Sequence, residues 1–238
     1  SGTGVMAKTF ERFGWRAVTI DIMFNPSLQS NPPTVQADLL ALSEFDLKRM
    51  VEKYGEPSML HFAPPCNPRS KQHRKGIHYR VDDGGAFVPV SARARMADAA
   101  VAKCFEIIDF FRITNPSIKF TLENPNYASF KQLPKIRDMI VTKSFHVLHL
   151  NDYDPNFTQK PSCWVHNLAC WKARPVTNRP NSGSNAFGRL NYTQRITYPI
   201  ELCQEVVESV VRELGRKRTV AATGESASGN KGEAGTGT

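Results

Sequence analysis

Between Val5 and Leu214 the chain alternates between short apolar runs of strand length and longer stretches with helical periodicity. No other pattern in it narrows the architecture as far, because strand–helix alternation builds crossover units and a parallel sheet. Val5 to Phe13 predicts a short helix with Gly14 as its stop, followed by a strand from Arg16 to Ile20 that ends in Asp21. Ser43-Glu-Phe-Asp opens a helix that runs to Lys53 and is closed by Gly55. Ser58 to Ala63 is an apolar strand stopped by Pro64-Pro65. After a long loop, a helix begins at about Ser91, with Met96, Ala100, Cys104, Ile107, Ile108 and Phe111 on one apolar stripe. Ile118–Leu122 and Phe145–Leu150 are further strands, and Glu201–Leu214 is a last helix buried through Leu202, Val206, Val207, Val210 and Val211. The expectation is an α/β fold, a doubly wound and mostly parallel sheet covered on both faces. Residues 151–198 break the rhythm with Pro, Asn, Gly and aromatics, and predict an irregular insertion within a folded unit spanning 1–214. From Gly215 the chain is rich in Gly, Ser, Ala and Thr, too poor in apolar surface to offset ordering, which predicts a disordered tail over 215–238.

With 238 residues and 40% hydrophobic content, the chain can bury one sizeable core. No apolar run is long enough to span a bilayer and no signal peptide opens the sequence, which points to a soluble, intracellular protein with no membrane partner. Five scattered cysteines without a CxxC pair argue against a disulfide framework and against a zinc cluster. The net charge of +9 suits a polyanionic partner, with solubility alone as the alternative.

Ligands of open α/β sheets bind beyond the carboxyl ends of the strands, which directs attention to four places. The first is Ser1-Gly2-Thr3-Gly4, a glycine-rich turn running into a helix, where backbone can approach a ligand and helix N–H groups are free. Asp21, one strand further on, has the spacing at which an acid holds a ribose hydroxyl pair, so a nucleotide-like cofactor fits. Asp38 either holds an adenine amino group or caps a helix. The second place is Cys66, held at a strand's edge by Pro64-Pro65 and followed by Arg69, Lys71, Arg74, Lys75 and Arg80, with no acid among residues 66–81. A cationic surrounding favours a nucleophilic thiolate and also binds phosphates; the alternative is a small buried cysteine beside a solvated basic loop. The third is Glu123 in Leu122-Glu-Asn-Pro125, a carboxylate aimed at the same crevice and able to hydrogen-bond a heterocycle. The fourth is Thr158-Gln-Lys-Pro-Ser-Cys-Trp164, with Trp171, Arg174 and Arg179 beyond it, a basic and aromatic mixture that suits nucleic acid, or else structural tryptophans.

Taken in order, the glycine turn into a helix, the strand ending in Asp21, Pro64-Pro-Cys66, Glu123-Asn-Pro125 and Tyr198-Pro-Ile-Glu-Leu-Cys203 resemble the DNA cytosine-5 methyltransferases, especially the compact phage- and mobile-element-type members. The resemblance covers residues 1–214. It implies a Rossmann-like, class I S-adenosylmethionine-dependent methyltransferase fold. It also implies cofactor binding by Ser1, Gly2, Thr3, Gly4, Asp21, Ile22, Asp38 and Pro64, a Cys66 nucleophile, and Glu123 positioning a cytosine flipped out of DNA. Arg69, Lys71, Arg74, Lys75 and Arg80 would then contact the nucleic acid, and the protein would act as a monomer.

The family's Gln-x-Arg-x-Arg strand, whose first arginine assists the carboxylate, is replaced here by Gln159-Lys-Pro-Ser-Cys163, so the resemblance assigns that role to Lys160. The stretch from Thr158 to Thr197 is short for a target-recognition domain. Two alternatives stay open, an RNA cytosine methyltransferase and an inactive methyltransferase fold that binds nucleic acid. In a doubly wound sheet the glycine turn follows the first, central strand, and this sequence opens at the turn itself. The expectation is that an apolar strand precedes it.

Overall fold

The computed structural model describes residues 4–23, 32–66, 68, 78–155, 157, 161–177 and 197–224, with side chains of the last segment through Gly215. Eight strands and six helices are drawn from these residues, in chain order. They are α1 (Val5–Arg12), β1 (Ile20–Asp21), β2 (Val35–Gln36), α2 (Glu44–Tyr54), β3 (Met59–Phe62), β4 (Tyr79–Val81), β5 (Phe87–Pro89) and α3 (Ala92–Thr114). There follow β6 (Lys119–Pro125), α4 (Ala128–Lys131), α5 (Pro134–Val141), β7 (Phe145–His149), β8 (Pro161–His166) and α6 (Ile200–Gly224).

The principal sheet has the order β3-β6-β8-β7. β3 and β6 are parallel, and β8 runs antiparallel to both of its neighbours, so three of the four strands share one direction. β1 and β2 form a parallel pair of their own. Alternation along the strands divides the sheet into two faces. Phe120, Leu122, Cys163 and Val165 turn to one side, under Val101, Cys104, Phe105 and Ile108 of α3, Phe130 of α4 and Ile136 of α5. Leu148 and Trp164 turn to the other, under Met6 and Phe10 of α1 and Leu202, Val206, Val207 and Val210 of α6. A third cluster joins Ile20, Leu42 and Leu47 to Ile107 and Phe111 of α3 and seats the β1–β2 pair. Helices thus cover both faces of a mostly parallel sheet, the doubly wound α/β arrangement expected.

Local chemistry explains the element ends. Ser43 and Asp46 form a reciprocal capping box at the start of α2, typically worth about 1 kcal/mol, and Gly55 closes the helix at φ 85°. Lys119 at the start of β6 makes a buried ion pair with Glu213 of α6, whose second oxygen accepts the Cys170 amide at 2.8 Å. No described helix is long and apolar enough to cross a membrane.

Several expectations need correction. The irregular insertion over 151–198 contains β8, which enters between β6 and β7 and belongs to the centre of the sheet. Of the two readings of the aromatic stretch, structural tryptophans hold: Trp164 and Trp171 are buried at 0% and 3% exposure and pack the core. The long loop before α3 holds the β4–β5 hairpin, fastened to the helix by Tyr79 Oη donating to Asp98 at 2.7 Å and by a 2.7 Å bond between His78 and Ser91. Met96 lies off the buried stripe of α3 at 58% exposure, and Ala94, Ala97, Val101 and Phe105 complete that stripe instead. The last helix does not stop at Leu214 but continues to Gly224, because Arg216 to Ala222 contains good helix formers and one interior glycine costs only about 1 kcal/mol. The strand expected over Arg16–Ile20 is reduced to Ile20–Asp21.

Candidate active site

β3 and β6 pair in the register Phe62↔Leu122, which brings Ala63 and Pro64 level with Glu123 and Asn124 just past the end of β3. Asn124 Nδ2 donates to the Pro64 carbonyl at 3.3 Å and ties the two strand ends together. Pro64 is buried, Pro65 is exposed, and Cys66 is half-buried at the rim. Two prolines end the ladder and hold the thiol outside the sheet, as the sequence predicts.

Among the five cysteines, Cys104, Cys163 and Cys203 are buried, and desolvation pushes each thiol up to about 12. None of these three can supply thiolate near neutrality. Cys66 and Cys170 are the half-buried pair, and only Cys66 lies at a strand's carboxyl end.

Glu123 is held at both oxygens. Ser162 Oγ donates to Oε1 and Tyr198 Oη donates to Oε2 at 3.2 Å. Ser162 is the second residue of β8, level with Pro125 of β6, and Tyr198 comes from the residues that lead into α6. Burial raises the Tyr198 phenol well above its usual value, helped next by the charge of Glu123 and then by Cys203 and Cys66. The phenol therefore stays a donor, and it lies within electrostatic reach of both Cys66 and Glu123. Beneath it is a floor of rings: His61 stacks on Trp164 at 5.7 Å, and Tyr198 meets them edge-on at 5.8 and 5.3 Å. Burial lowers the His61 imidazole to about 4, so it sits neutral, bonded through Nδ1 to Thr121 at 2.8 Å.

Gly4 caps α1 at φ 72°, a left-handed conformation that favours glycine. Asp21 ends β1 and accepts the Met23 amide at 3.2 Å, while Ile22 is 56% exposed beside it. Asp38 lies at the same end of the β1–β2 pair, and one of its oxygens caps the 3-10 turn Leu39–Ala41 by accepting from Leu40 at 2.9 Å. Its capping role is thus visible, and its other oxygen is not spent on that cap. A cleft of about 750 Å³ between β2 and α2, lined by Val35, Asp38, Arg49 and Lys53, touches Asp38 but not Asp21, Cys66 or Glu123.

Ser1, Gly2, Thr3, Arg69, Lys71, Arg74, Lys75, Lys160 and Arg179 lie outside the described residues. Arg80 is exposed on β4, close in sequence to the acidic hairpin tip at Asp82 and Asp83. Arg174 is engaged with Glu205 at 2.7 Å and lies over the Tyr153 ring. The structure therefore joins Pro64, Cys66 and Glu123, and adds Ser162 and Tyr198, which sequence reasoning did not assign. Both stand inside phrases the sequence singles out, but nothing in their spacing shows that they converge on Glu123.

No family model and no curated protein sequence matches the chain. Among solved structures it is similar to the Dnmt2 methyltransferase of S. pombe, with 14% identity and a TM-score of 0.42, covering 74% of this chain and 49% of that one. It is also similar to the methyltransferase EhMeth of Entamoeba histolytica, with 12% identity and a TM-score of 0.38, covering 75% of this chain and 54% of that one. The chain thus spans about half the length of each.

Proposed function

We propose that this protein transfers a methyl group from S-adenosylmethionine to carbon 5 of a cytosine in DNA, with Cys66 as the nucleophile and Glu123 as the group that holds the base. One observation carries the reading: Cys66 and Glu123 sit at the ends of adjacent parallel strands, and both act on the Tyr198 phenol. A rim thiol and a fixed carboxylate make a pair suited to activating a pyrimidine. The Cys66 thiolate adds to carbon 6, and the carbon 5–carbon 6 π pair shifts onto carbon 5 and the ring. Glu123, hydrogen-bonded at N3 and the exocyclic amine, stabilises that shift. Bound S-adenosylmethionine supplies the electrophilic methyl group. A solvent water or hydroxide, as base, then takes the carbon 5 proton, and that C–H pair restores the carbon 5–carbon 6 double bond as the Cys66 thiolate leaves. Gly4, Asp21 and Ile22, with Ser1 to Thr3, Asp38 and Pro64, would hold the cofactor. Lys160 is the proposed further partner of Glu123. Arg69, Lys71, Arg74, Lys75 and Arg80 would hold phosphates around a base taken out of its stack.

The test is methyl transfer from labelled cofactor to DNA duplexes and, in parallel, to RNA duplexes. Label in 5-methylcytosine of DNA, lost on Cys66→Ser, supports the reading. Label only in RNA replaces the substrate, and no label in either removes the reaction.

A further inference from the structure

We propose that Ser162 and Tyr198 are positioning residues that clamp the Glu123 carboxylate with two neutral hydroxyls and fix the plane in which it meets the base. This rests on the reaction proposed above and concerns the orientation of its carboxylate.

The geometry is specific. Each carboxylate oxygen has about two acceptor sites. Ser162 occupies one on Oε1 and Tyr198 one on Oε2, so neither oxygen can rotate without breaking a bond. One site then remains on each oxygen, side by side, which matches two adjacent N–H donors on the edge of a protonated cytosine ring. Both donors come from rigid surroundings. Ser162 is fully buried in β8, and Tyr198 is pinned by the rings of His61 and Trp164. The phenol's proton stays in place because burial and the neighbouring negative charges oppose ionisation.

Neutral donors differ from a cation in one respect that matters here. An arginine or lysine in either of these two places would offset the carboxylate's charge, whereas two hydroxyls orient it and add no charge of their own, so any offset is left to Lys160. The site then favours a base that gains positive character at N3, the state that thiolate attack on carbon 6 requires.

Ser162→Ala and Tyr198→Phe remove one hydroxyl each and retain the packing atoms. Each should lower kcat by roughly ten-fold with little change in KM, as hydrogen bonds to a charged group are lost. Ser162→Thr, which restores the hydroxyl, should recover most of the rate. In a Glu123→Gln background the same two substitutions should cost less than about two-fold, since no charged carboxylate is left to orient. A readout independent of turnover is the Glu123 carboxylate stretch, isolated as the infrared difference between wild type and Glu123→Gln. It should move in both Ser162→Ala and Tyr198→Phe. An unmoved band, or equal fold losses with and without Glu123, would overturn the clamp. If the band moves but wild-type protein transfers no methyl group, the clamp stands as geometry. Its role in catalysis then falls together with the proposed reaction.

Discussion

The ion pair between Lys119 and Glu213 joins the start of β6 to α6, and its removal should be among the costliest single changes in the protein. The side chains are only 13% and 7% exposed, so little water is at hand to replace a lost partner. Glu213→Ala strands the Lys119 ammonium and also deprives the Cys170 amide of its acceptor. Losing one member of a buried pair costs about 3–5 kcal/mol, and an orphaned amide about 1–3 kcal/mol. The two overlap because the lysine tip can reach toward solvent, so about 4 kcal/mol is expected in total. Glu213→Gln keeps an acceptor for Cys170 and should lose about 2–3 kcal/mol. Replacing both members, as Lys119→Met with Glu213→Met, removes the charges together and leaves only the Cys170 amide unpaired. The double variant should therefore lose at least about 2 kcal/mol less than the sum of its single variants. Urea unfolding followed by far-ultraviolet circular dichroism reads all five values, provided the slope m is unchanged. A Glu213→Ala loss below about 1 kcal/mol, or strict additivity, would refute the idea that this pair is desolvated and coupled.

Three further outcomes are expected. DNA carrying 5-fluorocytosine cannot release its position-5 substituent as a proton, so it should trap the protein as a covalent adduct at Cys66; Cys66→Ser should abolish trapping, and an adduct on Cys170 would displace the assignment. Asp21→Ala should weaken S-adenosylmethionine by roughly ten- to a hundred-fold in calorimetry, and unchanged affinity would remove Asp21 from the site. Burial lowers His61 to about 4 and His166 to about 3, so below pH 6.5 the unfolded chain binds protons that the folded chain refuses. Stability should fall as pH drops from about 6.5 toward 4, by about 1.4 kcal/mol per pH unit for each histidine, and urea midpoints that stay flat over that range would contradict both assignments.

How much of this was legible beforehand depends on where each signal resides. The limits of α1 and α2 are readable because Gly14, Ser43, Asp46 and Gly55 act through their immediate neighbours. The edge position of Cys66 is readable for the same reason, since two prolines stop a strand wherever it pairs. β8 is harder. It opens on Pro161, which a strand tolerates at its first residue, and its Ser-Cys-Trp-Val-His run has neither the clean alternation of an exposed strand nor the length of a helix. Its assignment comes from partners far away in the chain, Thr121 to Pro125 on one side and Phe145 to His149 on the other. The β4–β5 hairpin does carry a local signal, the Asp82-Asp83-Gly84-Gly85 turn, but two three-residue strands on either side of it are too short to show alternation. Ser162 and Tyr198 could not be assigned to Glu123 from sequence, because that contact exists only once β8 has entered the sheet and α6 has docked.

The placement of β8 also sets the order in which this molecule can be assembled. β3, β6 and β7 all leave the ribosome before it, yet β7 reaches the sheet only through it. Until residue 166 has been synthesised, β6 has one edge paired with β3 and the other bare, while β7 has no strand to join. The nascent chain must therefore carry Phe120, Leu122 and Leu148 without their final cover, the circumstance in which strand edges pair with the wrong chain. Among the described residues the last strand in sequence is the one that joins β7 to β6, and it brings Ser162 with it. A ribosome that stops before β8 releases an open sheet, exposed to aggregation and proteolysis, in which Glu123 has not yet met its serine.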